Sequence, residues 1–158
     1  MAEAFAIAAA VFQFLDMSCR LSVKLKWLCT EVKGVPETLR DLSRDLSFQD
    51  AIAKNVLANI DAISSPSMLA DLEQILQKHA QTMSQLSQVL DKYTSDDKDG
   101  LLRRGWTSIR AIHGNSEMIR LCQELEREKG AVSLCLSTAS LSVIFFLTRA
   151  TKPVTAVL

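Results

Sequence analysis

An uncharged stretch near the amino terminus constrains the fold of this chain more than any other feature. Residues 4–15 carry no charge, and apolar side chains recur among them at helical spacing. A helix that is hydrophobic nearly all round must be buried in a bundle or in lipid. We therefore predict that this helix is the most enclosed of its bundle, with Phe12 and Leu15 mostly covered. The apolar positions that define it are Ala4, Phe5, Ile7, Ala8, Val11, Phe12 and Leu15.

Three assignments compete for this stretch. A signal peptide has positive charge before its apolar core, but Glu3 is the only charged residue before Asp16. A transmembrane span requires about 20 apolar residues, and the uncharged run stops well short of that length. A buried central helix requires neither and is the favoured interpretation. Membrane insertion remains the second one, because the surface that fills a bundle can also fill lipid.

The composition indicates an all-α fold. A length of 158 residues suits one domain, and only 5 glycines and 3 prolines are present for the turns of a β fold. We predict a bundle of four long helices plus one short helix, largely up-and-down, with the amino-terminal helix buried. The domain is expected to occupy residues 1–150. Residues 151–158 are expected to form a tail or a linker to a downstream domain that this sequence lacks.

Charge and cysteine usage narrow the partners and the compartment. Lys plus Arg equals Asp plus Glu at 18 each, so no basic surface for nucleic acid is expected. The four cysteines form no CxxC pair and no disulfide framework. We interpret them as reduced, mostly buried small side chains in a cytosolic protein. They are Cys19, Cys29, Cys122 and Cys135.

Two central helices each carry an apolar seam with spacings of three and four residues. The first begins with Pro36 at its first position and the second follows Ser65, a candidate N-cap, so a short link joins them. Such a link predicts an antiparallel hairpin in which Gln49 and His79, the polar members of the seams, face each other as a buried pair. The alternative is a slight rotation that lets both reach water. The seam positions are Leu39, Leu42, Leu46, Gln49, Ala53, Val56, Ile60 and Ile63, then Leu69, Leu72, Leu76, His79, Met83, Leu86, Leu90 and Tyr93.

The carboxyl-terminal third is predicted to hold a short helix at about 101–112 and a long helix capped by Asn115 or Ser116. Residues 130–148 are uncharged, which is long enough for a membrane span, but the hydroxyl-bearing residues among them make it a poor one. We interpret this part as a buried bundle helix whose hydroxyls bond back to its own carbonyls.

No motif in the sequence indicates catalysis or a cofactor. There is no GxxxxGK[ST] phosphate loop and no GxSxG turn. His79 and His113 have no second histidine or cysteine pair at a spacing suited to a metal. We therefore expect a protein that is not an enzyme and that binds no cofactor or metal.

Three stretches together are similar to a known family. AIAAAVFQFLDMSCRL and then LCTEVKGVPETLRDLSRDL resemble the amino-terminal helical domains of fungal NOD-like receptors, of the HeLo-like and SesA-like type. The later stretch GWTSIRAIHGNSEMIRLCQELEREKGAVSLCLSTA resembles the same pattern, a short segment with Trp followed by a long helix with a Leu-x-x-x-Lys run. The order and spacing of the three match over most of the chain.

The resemblance implies a function in programmed cell death, in fungal incompatibility or innate immunity. It implies a cytoplasmic helical bundle that precedes a nucleotide-binding oligomerisation domain and self-associates. It further implies release of the first helix, here starting at Ala2, to perturb the lipid of the plasma membrane. A second class stays open, in which the domain is a non-lytic interaction or oligomerisation module that recruits or regulates a separate effector.

Overall fold

The fold is a bundle of α-helices. The computed structural model describes residues 2–62, 65–94 and 115–150, and these ranges contain no strand. Their helices are α1 (Ala2–Glu31), α2 (Glu37–Ala58), α3 (Pro66–Thr94) and α4 (Ser116–Ala150), with a 3₁₀ turn at Ile60–Ala62. The predicted all-α bundle with four long helices is thus confirmed. The predicted short helix at 101–112 and the tail at 151–158 lie outside the described residues.

The helix ends follow local sequence signals. Gly34 has a φ of 82°, the left-handed conformation that glycine adopts without strain, and it turns the chain after α1. Pro36 directly precedes α2, which begins at Glu37, one residue after the start predicted at Pro36. The Ser65 hydroxyl accepts a hydrogen bond of 3.5 Å from the Met68 amide at the start of α3. The Asn115 side chain accepts one of 3.0 Å from the Met118 amide, so both predicted caps are confirmed.

The four helices form a ring in the order α1, α2, α4, α3. Helix α1 packs against α2 and α3, and α4 packs against the same two helices. Helices α2 and α3 have little direct contact within the described residues and lie across the diagonal. The predicted α2–α3 hairpin is therefore wrong. A short link favours neighbouring helices but does not require them. In the observed ring, the seams of α2 and α3 are buried against α1 and α4 instead of against each other.

Side-chain contacts fix the directions of the helices. Helices α1 and α3 run parallel, because Phe14 stacks on His79 while Lys24, further along α1, pairs with Asp91, further along α3. Helices α2 and α4 also run parallel, since Lys129 pairs with Asp45 and Ser140 contacts Asn55. Successive helices consequently alternate in direction, as the up-and-down prediction requires. The link from α2 to α3 crosses the end of the bundle.

One apolar core runs through the bundle, but α1 is not enclosed on all sides. Phe14 is fully buried, whereas Phe12 is 61% exposed, so the prediction that Phe12 is covered is wrong. Leu15 is only partly buried. The widest buried face belongs to α3, where eight residues between His79 and Leu90 are buried. A helix that is apolar all round does not need a fourfold enclosure, because a square bundle covers only the side of each helix that faces the axis.

Phe12 and Phe14 provide a matched test of this arrangement. Phe14→Ala should lower the free energy of unfolding by about 3–5 kcal/mol, because it leaves a cavity in the core. Phe12→Ala should lower it by less than about 0.5 kcal/mol, the usual range for an exposed site. Urea unfolding of both variants measures the difference. Equal losses would show that α1 is rotated relative to the arrangement described.

Candidate functional site

The amino-terminal third of α1 has one buried side and one exposed side. Ile7 and Val11 are buried in the core together with Phe14. Phe5 and Phe12 lie on the opposite side with 79% and 61% of their surface exposed. Of the other predicted membrane-active positions, Ala8 and Leu15 are partly buried, and the side chain of Ala4 lies outside the described residues. The predicted residues are thus divided between the core and the solvent.

Two helices of the described part are long and apolar enough to cross a membrane. They are Phe5–Glu31 in α1 and Ser116–Arg149 in α4. In the most apolar part of these helices, 39% of the residues are buried in α1 and 24% in α4. Length and composition alone are weak support for a membrane span, because the core helix of a bundle meets the same criteria.

A polar contact holds the carboxyl-terminal half of α1 to α3. The Lys24 ammonium lies 2.6 Å from an Asp91 carboxylate oxygen and donates a hydrogen bond of 2.6 Å to the Ser87 hydroxyl. Lys24 is mostly covered, so this contact is stronger than an ordinary surface ion pair. Residues 4–15 offer no charge for a contact of this kind. Their attachment to the bundle rests on apolar packing and on the ring of Phe14.

A polar cluster in the centre of the bundle joins α1, α3 and α4. One Glu128 oxygen lies 3.0 Å from His79 Nδ1, and the other accepts a hydrogen bond of 3.3 Å from the Thr82 hydroxyl. The Lys78 ammonium lies 3.6 Å from the same carboxylate. The ring of His79 stacks on Phe14 with a centroid distance of 6.0 Å and an interplanar angle of 24°. We call these five residues the central cluster.

The predicted partnership of Gln49 with His79 needs correction. Both side chains are buried, so the alternative in which both reach water is wrong. His79 Nδ1 nevertheless pairs with Glu128 on α4, because Gln49 lies on α2 across the diagonal of the ring. Every helix buries at least one polar side chain, and Ser18, Gln49, His79 and Glu128 are examples from α1, α2, α3 and α4.

The sequence contained a signal for Glu128 that its charged neighbours obscured. Glu126, Arg127 and Lys129 surround it, so residues 126–129 resemble a solvated segment. Glu128 nevertheless continues the seam of Met118, Leu121 and Leu125 at a spacing of three, and its side chain is only 10% exposed. A carboxylate at a seam position predicts a buried partner on another helix.

Burial alters the titration of several side chains. Burial lowers the pKa of His79, although the hydrogen bond and the negative charge of Glu128 partly oppose this effect. Burial raises the pKa of the Cys122 thiol to about 11 and also raises the pKa of Cys135, so neither thiol is activated as a nucleophile. Within the described residues no group of side chains is arranged to bind a metal ion.

The contact between α1 and α2 contains poorly satisfied polar groups. The hydroxyls of Ser18 and Ser22 are buried without a hydrogen-bond partner in the described part of the chain. Burial raises the pKa of Asp50 on α2, and the neighbouring Ser18 hydroxyl partly opposes this without reaching hydrogen-bond geometry. Unsatisfied buried polar groups weaken a contact. This side of α1 is therefore held less firmly than the side facing α3.

An open groove of about 700 Å³ lies between the first turns of α2 and of α4. Leu39, Leu42 and Ile119 contribute its apolar floor. Asp41, Arg44, Asp45, Glu126 and Lys129 form a charged rim. The groove is a second candidate site, suited to a peptide or helix with apolar residues.

Comparisons with known proteins add no identification. No family model, no curated protein and no solved structure matches this chain.

The pairing within the central cluster can be measured with a double-mutant cycle. His79→Leu should cost about 1–3 kcal/mol, because it leaves the Glu128 carboxylate without its shortest contact. Adding Glu128→Leu should cost less than the sum of the two single changes, with a coupling of at least about 0.5 kcal/mol. Gln49→Leu is the control and should be additive with His79→Leu. Coupling to Gln49 and none to Glu128 would reverse the assignment.

The lowered pKa of His79 predicts a pH dependence of stability. The unfolded chain takes up a proton near pH 6.5, whereas the folded chain resists protonation until a lower pH. The free energy of unfolding should therefore be greatest above pH 6.5 and fall as the pH decreases from about 6.5 to 5.5. Thermal melts across this range measure the effect. His79→Gln can still donate to Glu128 but does not titrate, so a fall of equal size in this variant would exclude His79 as its source.

Proposed function

We propose that this chain is a cell-death-inducing effector domain of the kind found at the amino terminus of fungal NOD-like receptors. In this proposal the bundle rests in the cytoplasm and acts without catalysis. Self-association, driven by a fused or downstream nucleotide-binding oligomerisation domain, releases α1 and brings it to the plasma membrane. The observation that carries the proposal is the way in which residues 4–15 pack on the bundle. They leave Phe5 and Phe12 exposed and make no charged contact with the other helices.

The free-energy cost of releasing α1 from the bundle depends on the environment that α1 enters. Ile7 and Val11 are buried in the apolar core, and hydrocarbon offers them a similar environment. Phe14 is also buried and would exchange its stacking on His79 for contact with hydrocarbon. Phe5 and Phe12 are exposed to water in the resting fold and would gain by entering lipid. Transfer to a bilayer therefore replaces one apolar environment with another and covers additional surface. Water offers no such compensation, which keeps α1 in the bundle until a membrane is present.

The length of the uncharged stretch limits how far it can insert. Twelve helical residues extend about 18 Å, whereas the hydrocarbon core is about 30 Å thick. Residues 4–15 therefore reach across roughly one leaflet, and Asp16 would remain near the surface. A single copy perturbs the bilayer without spanning it. This supports an active form that contains several copies.

The groove between α2 and α4 supports a second function. Its apolar floor and charged rim suit a helix or peptide from another protein. In that case the domain is a non-lytic module that recruits or regulates a separate effector. Cys122 and Gln123 lie in the same groove and would contact such a partner.

A charge at Phe12 should separate the two functions. Phe12→Glu leaves the fold intact because the side chain is exposed, but a charge in the bilayer costs at least about 2.5 kcal/mol. We expect this variant to lose dye release from liposomes and toxicity in fungal cells. The matched control is Phe48→Glu, which alters a phenylalanine on α2 that is 64% exposed.

The two outcomes favour different functions. If Phe12→Glu folds as the parent does and remains fully active, insertion of α1 is excluded and the interaction module is favoured. A charge at Val11 cannot make this distinction, because Val11 is fully buried and the bundle itself would unfold.

A further inference from the structure

The carboxyl-terminal half of α4 has an uncharged outer face that the bundle does not cover. Its core side is formed by Val132, Leu136, Ala139 and Val143, all buried. The opposite side exposes Leu134 and Phe145 at 70% and 73%, and it also exposes Leu141 and Ile144. We call these last four residues the α4 outer face. The predicted burial of this half of α4 is therefore correct for its core side and wrong for its outer side.

Three hydroxyl groups of this segment, on Thr138, Ser142 and Thr148, have partners within the helix. Thr138 donates to the Leu134 carbonyl at 2.8 Å, and Ser142 donates to the Thr138 carbonyl at 3.1 Å. The predicted bonding of hydroxyls back to the helix is thus confirmed for Thr138 and Ser142, whereas Ser140 accepts a hydrogen bond from Asn55 of α2. A hydroxyl that is satisfied within its own helix needs no water and can enter an apolar phase at a low cost. Thr138 and Ser142 therefore do not prevent the segment from contacting hydrocarbon.

The size of the α4 outer face argues against a second copy of the chain as its partner. The four side chains expose roughly 400–500 Å² in total, judged from the areas of large apolar side chains. A stable protein interface needs about 800 Å² from each partner. A lipid surface imposes no such minimum area and no requirement for a matching shape.

The borders and position of the segment match a lipid surface. Residues 130–148 extend about 28 Å, and charged residues stand at both borders, Lys129 at one and Arg149 at the other. The parallel α2 and α4 run antiparallel to α1, so the end of α4 and the start of α1 lie at the same end of the bundle. The 3₁₀ turn at Ile60–Ala62 contacts both helices there. Helix α1 lies diagonally across the ring from α4, so a membrane on the α4 outer face meets the opposite side of the bundle from α1, at the same end as residues 4–15.

We propose that the folded bundle docks onto a lipid surface through the α4 outer face before α1 leaves its place. This inference deepens the proposed function and rests on it, since docking supplies the membrane that α1 enters. The contact is apolar, so it requires no anionic lipid and does not weaken with salt. Leu141, Ile144 and Phe145 lie at the boundary between headgroups and acyl chains, as side chains of interfacial helices do.

Flotation of the full chain with phosphatidylcholine vesicles tests the proposal. The parent should bind neutral vesicles equally at low and high salt. The double variant Leu141→Ser/Phe145→Ser should reduce the partition coefficient at least about tenfold. The matched control is Val23→Ser/Phe48→Ser, which removes two exposed apolar side chains elsewhere and should leave binding unchanged. All four positions are exposed, so thermal melts should show every variant folded.

Several results would overturn the docking proposal. One is undiminished vesicle binding by Leu141→Ser/Phe145→Ser, and another is binding by the parent that requires anionic lipid. A third is a self-associated parent, seen in sedimentation, that the same double change dissociates, since this would assign the face to a second copy.

Phe12→Glu distinguishes this inference from the proposed function. If docking and α1 insertion are both correct, this variant floats with the vesicles but releases no dye. Dye release by Phe12→Glu together with loss of flotation in the α4 variant would refute α1 insertion and retain docking. Normal flotation of the α4 variant together with loss of dye release in Phe12→Glu would refute docking and retain α1 insertion.

Discussion

The Glu128 carboxylate is the contact on which the arrangement of this bundle depends. It lies in the core-facing seam of α4 and binds His79 and Thr82 of α3. A buried carboxylate without partners is costly, so only a register that supplies these groups is compatible with folding. His79 in turn stacks on Phe14 of α1. One acidic group thereby sets the relative height of three helices, a role that polar seam residues also have in coiled coils.

The local elements of the fold could be predicted from the sequence, whereas the neighbours of each helix could not. Proline, glycine, Ser65 and Asn115 mark helix ends through backbone chemistry that acts within a few residues. The seams of α2 and α3 were predicted to be buried, and their members, such as Leu46 and Leu76, are buried. A seam of leucine packs equally well against any other apolar seam, however. The sequence therefore contained no preference strong enough to decide between a ring with α2 beside α3 and the ring observed.

The exposed residues of α1 and α4 show a second feature that the sequence could not predict, namely which side of each helix is buried. Phe12 and Phe14 are chemically identical, and only the position of the neighbouring helices decides which one faces the core. The same holds for Leu134 and Leu136 on α4. A helix with apolar residues on both sides has no periodic signal to identify its buried side. For the candidate site, composition indicated the apolar segment, but only the packing divides its residues into those that are buried in the bundle and those that are exposed.

The diagonal placement of α2 and α3 bears on what remains if α1 departs. A ring of four helices that loses one corner becomes a triangle, and the two helices beside the vacancy can then approach each other. In this bundle those two are α2 and α3, which already share α4 as a neighbour and have complementary leucine seams. Closing the gap would cover the surface that α1 had protected. The contacts of α4 with α2 and α3 do not involve α1, so the departure of α1 leaves those two contacts in place.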